Sequence, residues 1–189
     1  MAVAYTAVYP ATHDTAHVKA TTYHDANQTP WDATDPAKSL IGSHANTNWY
    51  TTVGEVANTR FHIDLDTAKI IRRIYYESSH HQGGDVTRAI NNFVFQGSNT
   101  GAGTFDDLVY GNDEGWTTIP LSQNTMDAHI GADQADPKYI LVNNWGAYRY
   151  YAFKIADNGG DATFIGARHL NLQTQDGYQV PSGSFFHNG

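Results

Sequence analysis

The chain has 189 residues, a length that suits one domain with a sizeable hydrophobic core. Its 12 Tyr, 8 Phe, 4 Trp and 17 Gly favour strands and turns, and the absence of cysteine excludes disulfides and thiolate-ligated metals. The formal charge of -8 and the lack of a basic cluster argue against nucleic-acid partners, and no apolar stretch reaches the roughly 20 residues of a spanning helix, so we expect a soluble protein without membrane insertion.

The first part of the chain combines short strand patterns with a long polar segment. Residues 2–9 are rich in strand formers and end at Pro10, which predicts a first strand. Residues 11–58 are polar and lack periodicity, and long segments of this kind in a compact domain tend to carry function. At 61–66, apolar and polar residues alternate, which predicts a strand with one buried face.

Short strand patterns separated by Gly, Asn and Asp turn signals fill most of the remaining chain. They lie at 69–78, 92–97, 105–111, 116–121, 138–143, 148–157 and 162–173. About eight antiparallel strands without a strong helix predict an all-β, single-domain β-sandwich or barrel.

Six short sequence segments, spread over the predicted strands, can be compared with known families. They are "TNWYT" at 47–51, "FHIDL" at 61–65, "IIRRIYY" at 70–76, "FVFQGSNTG" at 93–101, "YRYYAFKIADNGG" at 148–160 and "IGARHLNL" at 165–172. In order and spacing they resemble the galactose-binding-like jelly roll of the discoidin, or coagulation factor 5/8 type C, family. The resemblance implies a jelly-roll β-sandwich over 37–173, with an N-terminal strand and polar loop at 1–36 packed on it and a C-terminal tail at 174–189.

The resemblance also implies a sugar-binding site in loops at one end of the sandwich. A sugar site needs an aromatic face for the C–H side of the ring and polar groups for the hydroxyls. In fucose-binding lectins of this fold, the matching loop ends in an Arg-Ile-Asn-Gly phrase, and "TRAINN" is similar, which places Arg88 at a sugar-contacting arginine. The candidate ligand-binding residues are Trp49, Tyr50, His80, His81, Asp85 and Arg88.

Each candidate also has a simpler interpretation. Arg88 is suited to a surface ion pair with Asp85, which would contribute little. His80 and His81 suit an exposed polar loop, and Trp49 suits a core or rim anchor, since a large aromatic residue beside a strand usually packs. Both interpretations stay open at the level of sequence.

The sequence predicts no cofactor. Related domains often carry an Asp-Gly pair and a late-strand Glu, both associated with a structural calcium ion, so the resemblance leaves calcium possible. The matching places here hold Ile41–Gly42 and His169, which argues against it, because calcium prefers carboxylate and carbonyl oxygen. His13 and His17 are four residues apart but lack the Glu of a zinc-protease motif.

Two functional classes fit the sequence. The leading prediction is a non-catalytic, lectin-like module that binds a glycan, since the carboxylates lie in turn-like segments that do not raise their pKa for acid catalysis. The alternative is a structural or host-attachment component of a virus or phage particle, such as a tail or fibre, with homo-oligomer or virion partners. No signal peptide is visible at the N-terminus. Both functional classes nevertheless act outside the cell or at a virion surface, and we expect the protein there.

Overall fold

Two antiparallel sheets stack on each other in the computed structural model, which describes residues 3–177. The strands are β1 (Tyr5–Val8), β2 (Val18–Ala20), β3 (Trp49–Tyr50), β4 (Ala57–Lys69), β5 (Arg73–Ser78), β6 (Phe93–Ser98), β7 (Thr117–Thr118), β8 (Lys138–Leu141), β9 (Tyr148–Asp157) and β10 (Gly166–Gln175). One short helix, α1, spans Ala102–Asp106, and 3-10 turns lie at Asp32–Thr34 and Val86–Arg88.

The sheet order places strands that are distant in sequence side by side. The first sheet has the order β1-β10-β5-β8, and β3 also pairs with β10; the second has the order β2-β4-β9-β6-β7. The long β4 and β9 pair over most of their length, with Phe61 opposite Phe153. The predicted all-β sandwich is confirmed.

The core between the sheets is built from alternating residues of the long strands. Phe61 and Ile63 of β4 and Phe153 of β9 are almost fully buried there, and Phe61 and Phe153 meet edge to face with ring centroids 6.3 Å apart. Burying a side chain of this size contributes about 1.5–3 kcal/mol. The alternation at 61–66 therefore identified the core face of β4.

The opposite face of β4 differs from the prediction of a single buried face. Arg60 and His62 on that face are fully buried, because α1 and the loop after it cover them. The His62 ring bonds the carbonyl oxygen of Phe105 in α1 through Nδ1 at 2.8 Å. The strand predicted at 105–111 is also wrong: residues up to Asp106 are helical, and Asp107 caps the following turn by accepting the Val109 N–H at 2.9 Å.

The N-terminal segment is part of both sheets. β1 pairs with β10 at the edge of the first sheet, and β2 pairs with β4 at the edge of the second. The boundary predicted between 1–36 and 37–173 stays a prediction, and most of the predicted tail, 178–189, lies outside the described residues. Within residues 3–177, no helix is long and apolar enough to cross a membrane.

Candidate functional site

Three loops meet at the end of the sandwich where β5 and β9 finish and β10 begins. They are the segment before β3, the segment after β5 and the turn between β9 and β10. Their side chains form a group that we call the Phe164 cluster: His44, His81, Asp85, Arg88 and Phe164. Each member is at least partly exposed, so the cluster forms a polar and aromatic surface.

Phe164 supplies the aromatic ring of this surface. Its ring lies 5.3 Å from the buried ring of Tyr50 and 5.1 Å from the ring of His24, measured between centroids. The position of the Tyr50 ring is fixed by its hydroxyl, which accepts hydrogen bonds from Ser79 Oγ at 2.5 Å and Asn48 Nδ2 at 3.2 Å. A fixed, buried ring thus supports a partly exposed one.

The turn that carries Phe164 is organised by Asp161 and Asn158. One oxygen of Asp161 accepts the N–H groups of Thr163 at 2.7 Å and Phe164 at 3.0 Å. Asn158 Nδ2 donates to the carbonyl oxygens of Asp161 and Phe164. Burial raises the pKa of Asp161, but these N–H groups and the charge of Arg88 lower it more, so the net pKa lies below the usual value. Asp161 is therefore a carboxylate at neutral pH.

Arg88 links two of the loops. Its Nη1 lies 2.8 Å from Asp85 Oδ2, and its Nε lies 3.4 Å from Asp161 Oδ2. The guanidinium carbon is 5.1 Å from the Phe164 ring centroid, within cation–π distance. The predicted ion pair with Asp85 is present, and the arginine side chain keeps 18% of its surface exposed. Both interpretations of Arg88 are thus compatible with its position.

Two histidines form the other side of the cluster. The rings of His44 and His81 lie 4.7 Å apart, and His44 also lies 5.4 Å from Tyr50. Gln28 Nε2 donates to Nδ1 of His44, which places the proton of the neutral ring on Nε2. Burial, with the nearby charges of His81 and Arg88, lowers the pKa of His44, so its neutral form dominates at pH 7.

Trp49 and Tyr50 are not at the surface, in contrast to their prediction as ligand contacts. Trp49 is 0% exposed, packs 5.0 Å from Phe61 and donates its Nε1–H to the carbonyl oxygen of Thr22 at 3.0 Å. Tyr50 is 1% exposed and supports Phe164 as described above. Both lie in β3, which pairs with β10, and their side chains point to opposite faces of the strand: Trp49 joins the core between the sheets, and Tyr50 lies under Phe164 and His44. Trp49 is the core anchor of the simpler interpretation.

His80 is also buried, in contrast to its prediction as a contact residue. Its ring stacks on His129 at 4.0 Å, bonds the carbonyl oxygen of Leu40 through Nε2 at 3.1 Å and accepts the Gly83 N–H at Nδ1. Burial lowers the pKa of His80 to about 4, so the ring is neutral. The residue ties two loops together, and His81 is the histidine of this pair that reaches the surface.

The predicted residues His81, Asp85 and Arg88 are therefore brought together, and two further members were missed. His44 lies in the polar segment "GSHANTN", and Phe164 follows the "NGG" turn in "DATFIG". An aromatic residue inside an otherwise polar turn was the available signal. The positions that hold a calcium-associated Asp-Gly pair and Glu in related domains are Ile41–Gly42 and His169 here, and residues 3–177 hold no group of three or more His, Cys, Asp or Glu side chains placed for a metal ion. Calcium stays the untested possibility that the resemblance left open.

Comparisons with known proteins identify the fold. The sequence matches no protein-family model, and no curated protein matches it. The structure is similar to the family 32 carbohydrate-binding module (CBM) of C. perfringens NanJ in complex with galactose, with a TM-score of 0.58 and 16% identity over 90% of this chain and 100% of that one. A Clostridium perfringens CBM32 in complex with GalNAc-β-1,3-galactose gives a TM-score of 0.56 and 18% identity over 82% and 92%.

A third similar structure is the CBM32 of AlyQ in complex with 4,5-unsaturated mannuronic acid. It gives a TM-score of 0.54 and 13% identity over 88% of this chain and 97% of that one. Likenesses at these identities establish the fold. The chain has the galactose-binding-like β-sandwich of these modules, as the six sequence phrases predicted.

Proposed function

We propose that the chain is a non-catalytic carbohydrate-binding module and that the Phe164 cluster binds the sugar. One observation carries the proposal: three loops of a galactose-binding-like sandwich converge so that a partly exposed aromatic ring lies within cation–π distance of an arginine, while His44, with His81 beside it, packs against the buried Tyr50 ring that supports Phe164. The ring can cover the apolar face of a sugar, and the polar groups can bond its hydroxyls. Similar structures were solved with sugars bound, which supports the same ligand class here.

The electrostatics of the cluster favour binding over catalysis. Asp85 and Asp161 both pair with Arg88, and the pKa of Asp161 lies below its usual value. A glycosidase needs one carboxylic acid that stays protonated near neutral pH. These two carboxylates are therefore suited to holding Arg88 in place and accepting hydrogen bonds from hydroxyl groups.

The test is a glycan array on the purified chain, followed by calorimetric titration of the best sugar against variants. We expect Phe164→Ala to weaken binding by about tenfold, or 1.4 kcal/mol, since truncating an aromatic anchor removes the face for the ring. Trp145→Ala is the matched control. Trp145 is a 62% exposed aromatic residue that precedes β9, whereas Phe164 follows the other end of that strand.

A second pair of variants tests the contribution of the polar side chains of the Phe164 cluster. Arg88→Ala should weaken sugar binding. Arg149→Ala should leave it unchanged, because Arg149 lies at the start of β9 and pairs with Asp64 of β4. An array blank at high protein concentration, or equal affinity in Phe164→Ala and the parent chain, would refute the proposal. The setting in a virus or phage particle stays a prediction, as do the partners it implies.

A further inference from the structure

Arg168, the third residue of β10, is a fully buried cation surrounded by backbone oxygens. It is 0% exposed, and its two terminal nitrogens donate five hydrogen bonds of 2.9–3.2 Å. The acceptors are the carbonyl oxygens of Ser39, Ile41, Gly42, Ser43 and His80. Within residues 3–177, no carboxylate forms an ion pair with Arg168, and its Nε is buried without a hydrogen-bond partner.

This environment is that of a bound cation. Burying an unpaired charge is costly unless polar groups replace the lost water, and here five carbonyl dipoles do so. In other proteins, hard metal cations are held by backbone carbonyl oxygens of this kind. Burial lowers the pKa of Arg168, and the charges of Tyr50, Asp133 and Glu77 oppose this; an arginine stays protonated at neutral pH, so the positive charge at this point is permanent.

The five carbonyls belong to two segments that lead directly into the Phe164 cluster. Ser43 immediately precedes His44, and His80 immediately precedes His81. Gln82 adds a backbone bond to the Gly42 carbonyl oxygen at 3.0 Å. Arg168 therefore bonds both of the chain segments that carry the histidine side of the cluster.

We propose that Arg168 is a built-in structural cation that joins segment 39–43 to His80 in place of a metal ion and thereby positions His44 and His81. A second cation beside the guanidinium would be repelled, and Ile41–Gly42 and His169 offer it no carboxylate. The five hydrogen bonds support the structural role of Arg168 whether or not the chain binds a sugar. The positioning of the histidines for a ligand rests on the proposed carbohydrate site.

The first experiment tests the cation in the unmodified chain. Thermal unfolding is followed after dialysis against EDTA and again with added calcium chloride. We expect the same Tm in both, because the guanidinium already occupies the carbonyl cage. A Tm that falls in EDTA and recovers with calcium would overturn the proposal.

The second experiment compares two fully buried arginines. Arg168→Lys keeps the charge but replaces two terminal nitrogens with one, which cannot reach both carbonyl-bearing segments with the same geometry. Arg60→Lys makes the same change at an arginine under α1 that bonds the Asn112 carbonyl oxygen at 2.6 Å. Hydrogen exchange should become faster in peptides covering 39–44 and 80–83 in Arg168→Lys alone. Sugar affinity should fall by about tenfold in that variant and stay unchanged in Arg60→Lys.

The outcomes separate the two proposals. Unchanged exchange in Arg168→Lys, or equal effects of the two variants on segments 39–44 and 80–83, would overturn the structural role of Arg168. If Arg168→Lys does not fold, the EDTA and calcium comparison on the unmodified chain still decides the metal question. If the unmodified chain binds no glycan, the proposed function fails. The hydrogen-exchange and EDTA results still test whether Arg168 acts as a structural cation.

Discussion

His62 offers a quantitative test of the packing under α1. Its ring is 0% exposed, bonds the Phe105 carbonyl oxygen through Nδ1 at 2.8 Å and lies near Arg60 Nη1 on its Nε2 side. Burial, together with the charges of Arg60 and Lys19, lowers the pKa of His62 from 6.5 to about 4, although the Phe105 carbonyl and Asp107 oppose this. Replacing His62 by Gln removes the titrating ring and keeps a polar side chain.

The direction of the effect follows from the two pKa values. Because the folded state binds fewer protons than the unfolded state between pH 4 and 6.5, the free energy of unfolding falls as the pH falls through this window. This pKa shift changes the free energy of unfolding by about 3 kcal/mol over the whole window, and about 2 kcal/mol of that change falls between pH 7 and pH 5. The unmodified chain should therefore lose about 2 kcal/mol more than His62→Gln between these two pH values.

Urea unfolding of both chains at pH 7 and pH 5 measures this difference directly. His17→Gln is a control of opposite sign. Burial lowers the pKa of His17, but hydrogen bonds to Asp14 and Asp66 raise it more, so its stabilisation is present below pH 6.5 and is lost as the pH rises through the folded pKa. An identical pH dependence in the unmodified chain and His62→Gln would refute the burial of a neutral His62.

Three further predictions concern the support of the Phe164 cluster. A Cβ atom at Gly166 would lie 2.2 Å from Tyr50 Cδ1, so Gly166→Ala should destabilise the fold by about 1–3 kcal/mol and weaken sugar binding. The control is Gly103→Ala in α1, where a Cβ would have no atom within 4 Å; it should neither destabilise the fold nor weaken binding. Thermal unfolding measures the stability and calorimetry the affinity. Asp161→Asn keeps an acceptor for the turn but removes the charge facing Arg88, so calorimetry should show weaker sugar binding with little change in Tm. His44→Ala should weaken binding without a large stability loss, because His44 is half-buried at the surface; a Tm collapse in that variant would contradict its assignment to the site.

The strand pattern was predictable because its signals are local. The alternation at 61–66 and the aromatic run at 148–157 each report one face of one strand, and both became long central strands. The covering of the other face of β4 was not predictable, because it depends on α1 reaching His62 from 43 residues away. The polar residues of that face are the kind that normally face solvent.

The candidate site was predicted in part for the same reason. The loop after β5 carries its polar residues close together, so His81, Asp85 and Arg88 were identified from one stretch of sequence. Phe164 joins them only through the folding of β10 against β3, which no local pattern reports. The burial of Trp49 is likewise a consequence of strand pairing.

An NMR titration of the labelled chain with galactose, the sugar bound in the similar NanJ module, tests the central claim most directly. Backbone and side-chain amide signals are followed as the sugar concentration rises, and the other sugars found by the array are titrated in the same way. We expect shifts confined to the neighbourhood of His44, His81–Arg88 and 158–164. Shifts centred elsewhere, or no shifts with any sugar, would contradict binding at the Phe164 cluster.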